Sequence, residues 1–352
     1  MTLLSLLDRA THASPDHAAV RCRERSLSYA QLQAQVNRLA NTLLRLGVRK
    51  GDRVAFCMAK DLESIVALYG IMKAGAAYVP LDPLAPPSRS AQVCKDASVR
   101  VLITKAANLA RTGAAFNGVP LQGIIGVEGF KGFSGSVVSW LEVEAESEAC
   151  GESPVPGDYD LAYVLYTSGS TGVPKGISHT HESCIAFVEW AVQEFEVSGL
   201  DRLANHAPFH FDLSTFDVFA AAAAAATLVI VPETDSRFPA QVARLIEAAG
   251  ITVWYSVPFA LMQILERGSL HERDFSALRL VLFAGEVFPT PSLRQLMMRL
   301  PHARFANLYG PTETNVCTYY RLDVPPEAVD LPIPIGVACP FAQLCVVDDA
   351  DQ

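Results

Sequence analysis

A polar, glycine-rich stretch lies in the middle of a chain that is half hydrophobic. Residues 166–181 read YTSGSTGVPKGISHTH and follow the apolar run LAYVL. Glycine-rich backbone can direct several N–H groups at one anion, hydroxyl groups add donors, and Lys175 adds a mobile positive charge. The spacing matches neither the Walker pattern GxxxxGK[ST] nor GxGxxG. The chemistry of these residues favours a phosphate-binding loop over the alternative, a plain surface loop.

A carboxylate among apolar residues is the second candidate. Asp212 lies between Phe211 and Leu213. Removing a carboxylate from water is costly unless it meets a cation, and the protonated amine of an amino acid is such a cation. Because a helix is predicted to follow, helix N-capping is the alternative role for Asp212.

Three histidines lie near these two candidates. His210 either contacts a substrate or packs in the core. His179 and His181 are predicted to start a helix and not to bind a metal, because no third ligand is evident.

Alternating helix and strand patterns must position these residues. Leu32, Val36, Leu39 and Leu43 recur at helical spacing, and Gly47 is predicted to end that helix. Buried strands are predicted at DRVAFCM, LAYVL and LRLVLF. This alternation predicts a parallel sheet with crossover helices. Since the polar turns follow the carboxyl ends of strands, we expect the ligand site at that edge of the sheet.

Two local signals refine the predicted helices. Asp61 is a candidate N-cap for the helix that follows it. The seven alanines at 220–226 predict a helix packed closely on a neighbour, because alanine combines high helix propensity with little bulk.

The chain length of 352 residues suggests about two domains or subdomains. An irregular, Gly- and Ser-rich region at 106–158 predicts a boundary. We therefore expect a first α/β subdomain at 1–158 and a second at 159–325, which holds the phosphate loop and the substrate pocket. Residues 326–352 are predicted to start a β-rich subdomain.

Composition narrows the possible partners. The net charge of −9 argues against a nucleic-acid-binding surface, and no apolar stretch has the length of a membrane span. The eight cysteines form no CxxC pair, which predicts reduced thiols in a cytosolic protein.

The segment YTSGSTGVPKG closely resembles the signature loop of the adenylate-forming superfamily, which includes acyl-CoA synthetases, luciferases and the adenylation domains of nonribosomal peptide synthesis. The segments LSYAQL, KAGAAYVPLDP, FDLSTFDVF, AGE and NLYGPTE resemble further blocks of that superfamily in the required order. The resemblance implies an α/β fold, with two stacked αβα-layered subdomains of the large N-terminal lobe and the start of an incomplete β-barrel. It also implies that ATP activates a carboxylate as an acyl-adenylate, which a thiol then accepts.

The resemblance assigns roles to the nucleotide-binding residues. Thr312 is expected to reach the α-phosphate, Tyr309 to lie against the adenine ring, and Asn307 and Gly285 to line the adenine slot. Glu313 is expected to hold Mg²⁺, a cation that prefers carboxylate oxygen. Lys175, Thr312 and Glu313 are the implied catalytic residues. The β- and γ-phosphates are expected to bind Thr167, Ser168, Gly169, Ser170, Thr171, Gly172 and Lys175.

The resemblance also implies a substrate pocket whose only charged residue is an aspartate. Such a pocket favours a small or medium apolar amino acid. The set resembles that of stand-alone enzymes that load L-proline onto the phosphopantetheine arm of a peptidyl carrier protein. The implied lining residues are Asp212, Leu213, Phe216, Tyr255, Leu282, Ala284, Leu308, Val316 and Cys317.

The chain stops before the C-terminal lobe that family members carry, so we expect a truncated member. Two alternatives therefore stay open. One is an acyl-CoA synthetase for an acid without an amine, against which Asp212 argues. The other is a nonenzymatic fragment that binds nucleotide or amino acid without turnover.

Overall fold

A computed structural model describes residues 1–130, 133–149, 154–168, 174–327 and 330–348. The helices of this described part mostly follow a strand and bury at least one face. They are α1 (Leu3–Ala13), α2 (Tyr29–Arg45), α3 (Leu62–Lys73), α4 (Pro87–Asp96), α5 (Ala106–Thr112), α6 (Trp140–Glu144), α7 (His181–Glu194), α8 (Leu213–Ala223), α9 (Glu233–Ser236), α10 (Pro239–Ala249), α11 (Pro258–Arg267) and α12 (Thr290–Arg299).

The strands are short, and most are buried on both faces. They are β1 (Ala18–Cys22), β2 (Arg25–Ser28), β3 (Arg53–Cys57), β4 (Ala77–Pro80), β5 (Val101–Thr104), β6 (Gly123–Ile125), β7 (Ser136–Val138), β8 (Leu161–Ser168), β9 (Pro174–Thr180), β10 (Arg202–Asn205), β11 (Thr227–Ile230), β12 (Val253–Ser256), β13 (Leu280–Phe283), β14 (Arg304–Tyr309), β15 (Thr318–Leu322) and β16 (Val337–Ala338).

Among the described residues these strands form two mostly parallel sheets. The seven-stranded sheet has the order β7-β6-β5-β3-β4-β8-β9, and β9 alone runs antiparallel to its neighbour. The nine-stranded sheet has the order β16-β15-β14-β13-β12-β10-β11-β1-β2, with antiparallel pairs at both ends. Neither sheet closes into a barrel within the described part of the chain. The predicted parallel sheet with crossover helices is confirmed.

Successive side chains along each strand point to opposite faces of the sheet, and they form three hydrophobic cores. Val253 and Tyr255 of β12 face a central core, to which both sheets and helices α1, α2, α3, α7 and α8 contribute. Trp254, between them, faces an outer core formed with α10, α11 and α12. Ala55 of β3 faces the other outer core, which α4 covers. The layers are therefore helix, sheet, helix, sheet and helix, which confirms the two stacked αβα units.

Local capping explains where the central helices begin. Ser28 caps α2, and Asp61 caps α3 by accepting from the backbone N–H of Leu62 at 2.7 Å. Gly47, at φ +83°, follows the end of α2 as predicted. The alanine run is helical only to Ala223, because Ala225 takes the left-handed conformation at φ +53° before β11 begins.

The two sheets exchange chain segments. Residues 18–28 of the N-terminal half join the nine-stranded sheet, and residues 161–180 join the seven-stranded sheet. The predicted division near residue 158 therefore does not follow sheet membership, and as a statement about domains it stays a prediction. Residues 337–338, in the segment predicted to be β-rich, add an edge strand to the nine-stranded sheet.

The cysteines and the helix lengths of the described residues bear on compartment and membrane contact. The described cysteines are free, and most are buried. Among the described residues, no helix is both long and apolar enough to cross a membrane.

Candidate functional site

A cavity of about 360 Å³ lies where the carboxyl ends of strands from both sheets meet. The segments after β4, β10 and β14, the end of β8 and helix α4 form its wall. This is the edge at which ligands bind in parallel α/β sheets. The cavity is lined by Pro80, Leu81, Asp82, Ala85, Arg89, Ser90, Val93, Tyr166, Thr167, His210, Phe211, Asp212 and Thr312.

Asp212 precedes α8 but does not cap it with its side chain. Its backbone is helical, at φ −60° and ψ −30°, and no side-chain capping hydrogen bond forms. Burial raises the pKa of Asp212, and the Thr312 side chain, the backbone N–H of Leu213 and His179 oppose that shift. A cation bound in the cavity would favour the charged carboxylate. The geometry therefore favours ligand binding over helix capping for this residue.

His179 links the seven-stranded sheet to the turn after β14. Its Nε2 donates to the carbonyl oxygen of Thr312 at 2.7 Å, and its ring stacks on Tyr163 with centroids 4.9 Å apart. Burial lowers the pKa of His179, so the neutral ring is favoured. His181 is the first residue of α7, as predicted, whereas His179 lies within β9, so its assignment to a helix start was wrong.

The strands that flank the predicted phosphate loop form an antiparallel hairpin. Thr167 pairs with Lys175, and Ser168 pairs with Pro174. Thr167 lines the cavity, and Lys175 is exposed on β9. The intervening predicted residues lie outside the described part of the chain; these are Gly169, Ser170, Thr171 and Gly172.

The residues assigned to adenine lie at the ends of β13 and β14. Gly285 follows β13 at φ +90° and is exposed. Tyr309 ends β14 with 49% of its surface exposed. The Nδ2 of Asn307 donates to the carbonyl oxygen of Pro334 at 2.9 Å. These residues share one edge of the nine-stranded sheet, next to the turn that carries Thr312.

Glu313 is exposed beside Thr312. The described residues contain no group of three or more His, Cys, Asp or Glu side chains that could hold a metal ion by themselves. A single carboxylate is enough to hold Mg²⁺ in a nucleotide complex, because phosphate oxygens and water supply the other ligands.

The apolar residues assigned to the substrate lie in the central core. The rings of Phe216 and Tyr255 meet edge to face with centroids 5.6 Å apart. Burial raises the pKa of Tyr255, and the nearby Asp212 carboxylate adds to that shift. Among the predicted substrate residues, all of which the structure describes, Asp212 alone lines the cavity. The core members are Phe216, Tyr255, Leu282, Ala284, Leu308 and Val316, while Leu213 packs against them and Cys317 is half-buried.

Several cavity residues were missed or left undecided from sequence. Arg89 and Ser90 come from α4, and Tyr166 comes from β8. Asp82, directly after a strand in the LDP segment, carried a usable signal because polar residues at strand ends line such sites. His210, left between substrate contact and core packing, lines the cavity.

The layered fold and a cavity that carries a half-buried carboxylate at the sheet edges are typical of an α/β enzyme. A family model described as AMP-binding enzyme matches residues 7–352. The chain therefore belongs to the AMP-binding enzyme family, within the adenylate-forming superfamily that its motifs resemble.

Two curated relatives are L-proline--[L-prolyl-carrier protein] ligases. The protein from Pseudomonas fluorescens is 36% identical over 92% of this chain and 64% of its own length. The protein from Streptomyces coelicolor is 42% identical over 93% of this chain and 62% of its own length. The chain thus spans less than two thirds of the length of these relatives.

A solved structure shares the fold. The nonribosomal peptide synthetase FmoA3, in its alpha-methyl-L-serine-AMP-bound form, superposes with a TM-score of 0.82 at 30% identity. The match covers 96% of this chain and 36% of that chain.

Proposed function

We propose that this chain activates L-proline, or a similar small apolar amino acid, with ATP. A carboxylate oxygen of the amino acid attacks the α-phosphorus, the bond to the bridging oxygen breaks, and pyrophosphate leaves. The aminoacyl-AMP then passes its acyl group to the phosphopantetheine thiol of a peptidyl carrier protein, and AMP leaves.

The position of Asp212 carries this proposal. Its half-buried carboxylate lines the same cavity as Thr167 and Thr312, and it caps no helix. An ammonium in the cavity would compensate the cost of its burial, which an acid without an amine cannot do. The proline ligases among the relatives support L-proline as the particular amino acid.

The other site residues would align the carboxylate of the amino acid with the phosphates of ATP. Thr312 is close enough to Asp212 to lower the pKa of its carboxyl group, so one ligand can span both side chains. Lys175 and the other residues of the predicted phosphate loop would bind the β- and γ-phosphates, and Glu313 would hold Mg²⁺. When bound, Mg²⁺ would neutralise charge on the phosphates. Because no enzyme nucleophile is required, positioning and charge stabilisation supply the catalysis.

A pair of nearly isosteric ligands tests the recognition of the amine. We expect calorimetry to detect binding of L-proline to the wild-type chain. It should detect much weaker binding of tetrahydrofuran-2-carboxylate, in which oxygen replaces the ring nitrogen. Asp212→Asn should weaken L-proline binding by about 30-fold or more, because a buried charge pair loses one partner. Asp16→Asn, at an exposed position, is the matched control.

ATP–pyrophosphate exchange over an amino-acid panel tests the reaction itself. Exchange is expected with L-proline and to be lost in Asp212→Asn. Exchange that depends on acids without an amine and ignores L-proline would refute the proposal in favour of acyl-CoA synthetase chemistry.

A further inference from the structure

Lys60 is a buried lysine that joins the two sheets beside the cavity. It follows β3 of the seven-stranded sheet and is 4% exposed. Its ammonium donates to the carbonyl oxygens of Asn205 and His206 at 2.8 Å each and to that of Ala207 at 3.4 Å. These carbonyls lie at the end of β10 in the nine-stranded sheet. They begin the segment of residues 205–212 that leads to Asp212.

The carboxylate of Glu233 binds the backbone of Lys60, and Asp217 binds the side chain of Asn205, the residue whose carbonyl oxygen accepts from the Lys60 ammonium. The backbone N–H of Lys60 donates to both carboxylate oxygens of Glu233 at 2.9 Å. Asp217 of α8 is 1% exposed and accepts from Nδ2 of Asn205 at 3.2 Å. Burial lowers the pKa of Lys60 to about 8, and the charges of Glu233 and Asp217 oppose that shift. Lys60 is thus fixed by Glu233 at its backbone and by the carbonyl oxygens of residues 205–207 at its ammonium.

The rest of the 205–212 segment is compact enough to pass a displacement on to Asp212. The N–H of Phe211 donates to the carbonyl oxygen of Pro208 at 3.0 Å, and Oγ of Ser214 donates to that of Phe211 at 2.7 Å. Lys60 and His210 also line a small cavity of about 60 Å³, and His210 lines the main cavity as well. His210 therefore connects the surroundings of Lys60 with the main cavity that Asp212 lines.

We propose that Lys60 is a positioning residue for the amino-acid site. By holding the carbonyls of residues 205–207, it sets the position of Asp212 relative to Thr312. The effect on amino-acid binding rests on the proposed function, whereas the effect on the 205–212 segment does not. Lys60 does not line the main cavity and contacts the segment that leads to Asp212, so its removal should affect binding of the amino acid far more than binding of the nucleotide.

Lys60→Met tests this, because methionine keeps much of the volume and removes every donor. Carbonyls buried without a donor lose their hydrogen bonds, so the 205–212 segment should loosen. We expect amide hydrogen exchange in residues 206–212 to accelerate about ten-fold or more. The Kd for L-proline should rise about ten-fold or more, while the Kd for ATP should stay within about two-fold. Lys73→Met is the matched control, since Lys73 is partly buried and contacts Asp8, away from the cavity.

The outcomes separate this proposal from the proposed function. Unchanged hydrogen exchange in residues 206–212 of Lys60→Met overturns the positioning role, and so does an equal loss of L-proline and ATP affinity. If the wild-type chain does not bind L-proline, the proposed function fails, and hydrogen exchange still decides the role of Lys60. If Lys60→Met does not fold, Lys60→Gln replaces it. Because its amide still donates to some of the carbonyls, hydrogen exchange in residues 206–212 should accelerate by less than about ten-fold, and no acceleration overturns the proposal.

Discussion

At the scale of single residues, the site depends on charges placed at strand ends. Asp212 is the acidic residue proposed to bind the amino group of the substrate, and Lys175 is the cation proposed to bind the phosphates of ATP. Lys175 is exposed on β9, opposite Thr167, so its side chain is free of core packing. Its contribution should therefore appear in ligand binding and not in stability.

Lys175→Met is expected to weaken ATP binding by about 10- to 100-fold, the range for one charge-assisted hydrogen bond. The melting temperature should stay unchanged, because the side chain is exposed. Calorimetric titration with ATP and thermal unfolding measure the two quantities. Lys95→Met, at another exposed lysine, is the control. Wild-type ATP affinity in Lys175→Met would contradict a phosphate-binding role.

At the scale of elements, the turn after β14 and the start of α8 are tied together. Nδ2 of Asn315 donates to Oγ1 of Thr215 at 2.9 Å, and that hydroxyl donates to the carbonyl oxygen of Asp212 at 2.6 Å. These bonds place the proposed nucleotide residue Thr312 beside the proposed amino-acid residue Asp212. The geometry of the turn itself requires Gly310, because a Cβ there would lie 1.9 Å from the carbonyl oxygen of Asn315.

Gly310→Ala should therefore displace the turn that carries Thr312 and Glu313. We expect nucleotide affinity to fall about ten-fold or more, while the circular dichroism spectrum stays that of a folded protein. Gly157→Ala is the matched control, since a Cβ there meets its nearest atom, on Asp160, at an ordinary 3.4 Å. Unchanged ATP binding by Gly310→Ala would show that the turn does not hold the nucleotide.

At the scale of the whole molecule, buried histidines make stability depend on pH. His181 is fully buried, and its Nδ1 accepts from the backbone N–H of Leu3 at 3.3 Å, which joins α7 to α1. Burial lowers the pKa of His181 from 6.5 to about 4. The unfolded chain binds this proton below pH 6.5 and the folded chain does not. Stability is therefore fully present above pH 6.5 and is lost as the pH falls towards 4.

From this one histidine we expect the free energy of unfolding to fall by about 2 kcal/mol between pH 7 and pH 5. In His181→Asn the fall should be smaller by that amount, because asparagine keeps an acceptor for Leu3 but does not titrate. Urea unfolding at both pH values measures the difference. His271→Asn, at an exposed histidine, should behave as the wild type. An identical fall in His181→Asn and wild type would contradict the assignment.

The sequence alone determined the layered α/β class, the helix end at Gly47, the helix start at Asp61 and the family, because local patterns and long motifs encode these features. It also singled out Asp212, since a carboxylate between two apolar residues is unusual. Only the tertiary structure decided that His179 lies in a strand and that β1, β8 and β9 exchange between sheets. Only it revealed that Lys60 reaches Asn205, a residue 145 positions away. Such contacts form only between strand ends that become neighbours in the sheets. The packing of the whole chain sets the order of the strands, so a local sequence pattern cannot specify these contacts.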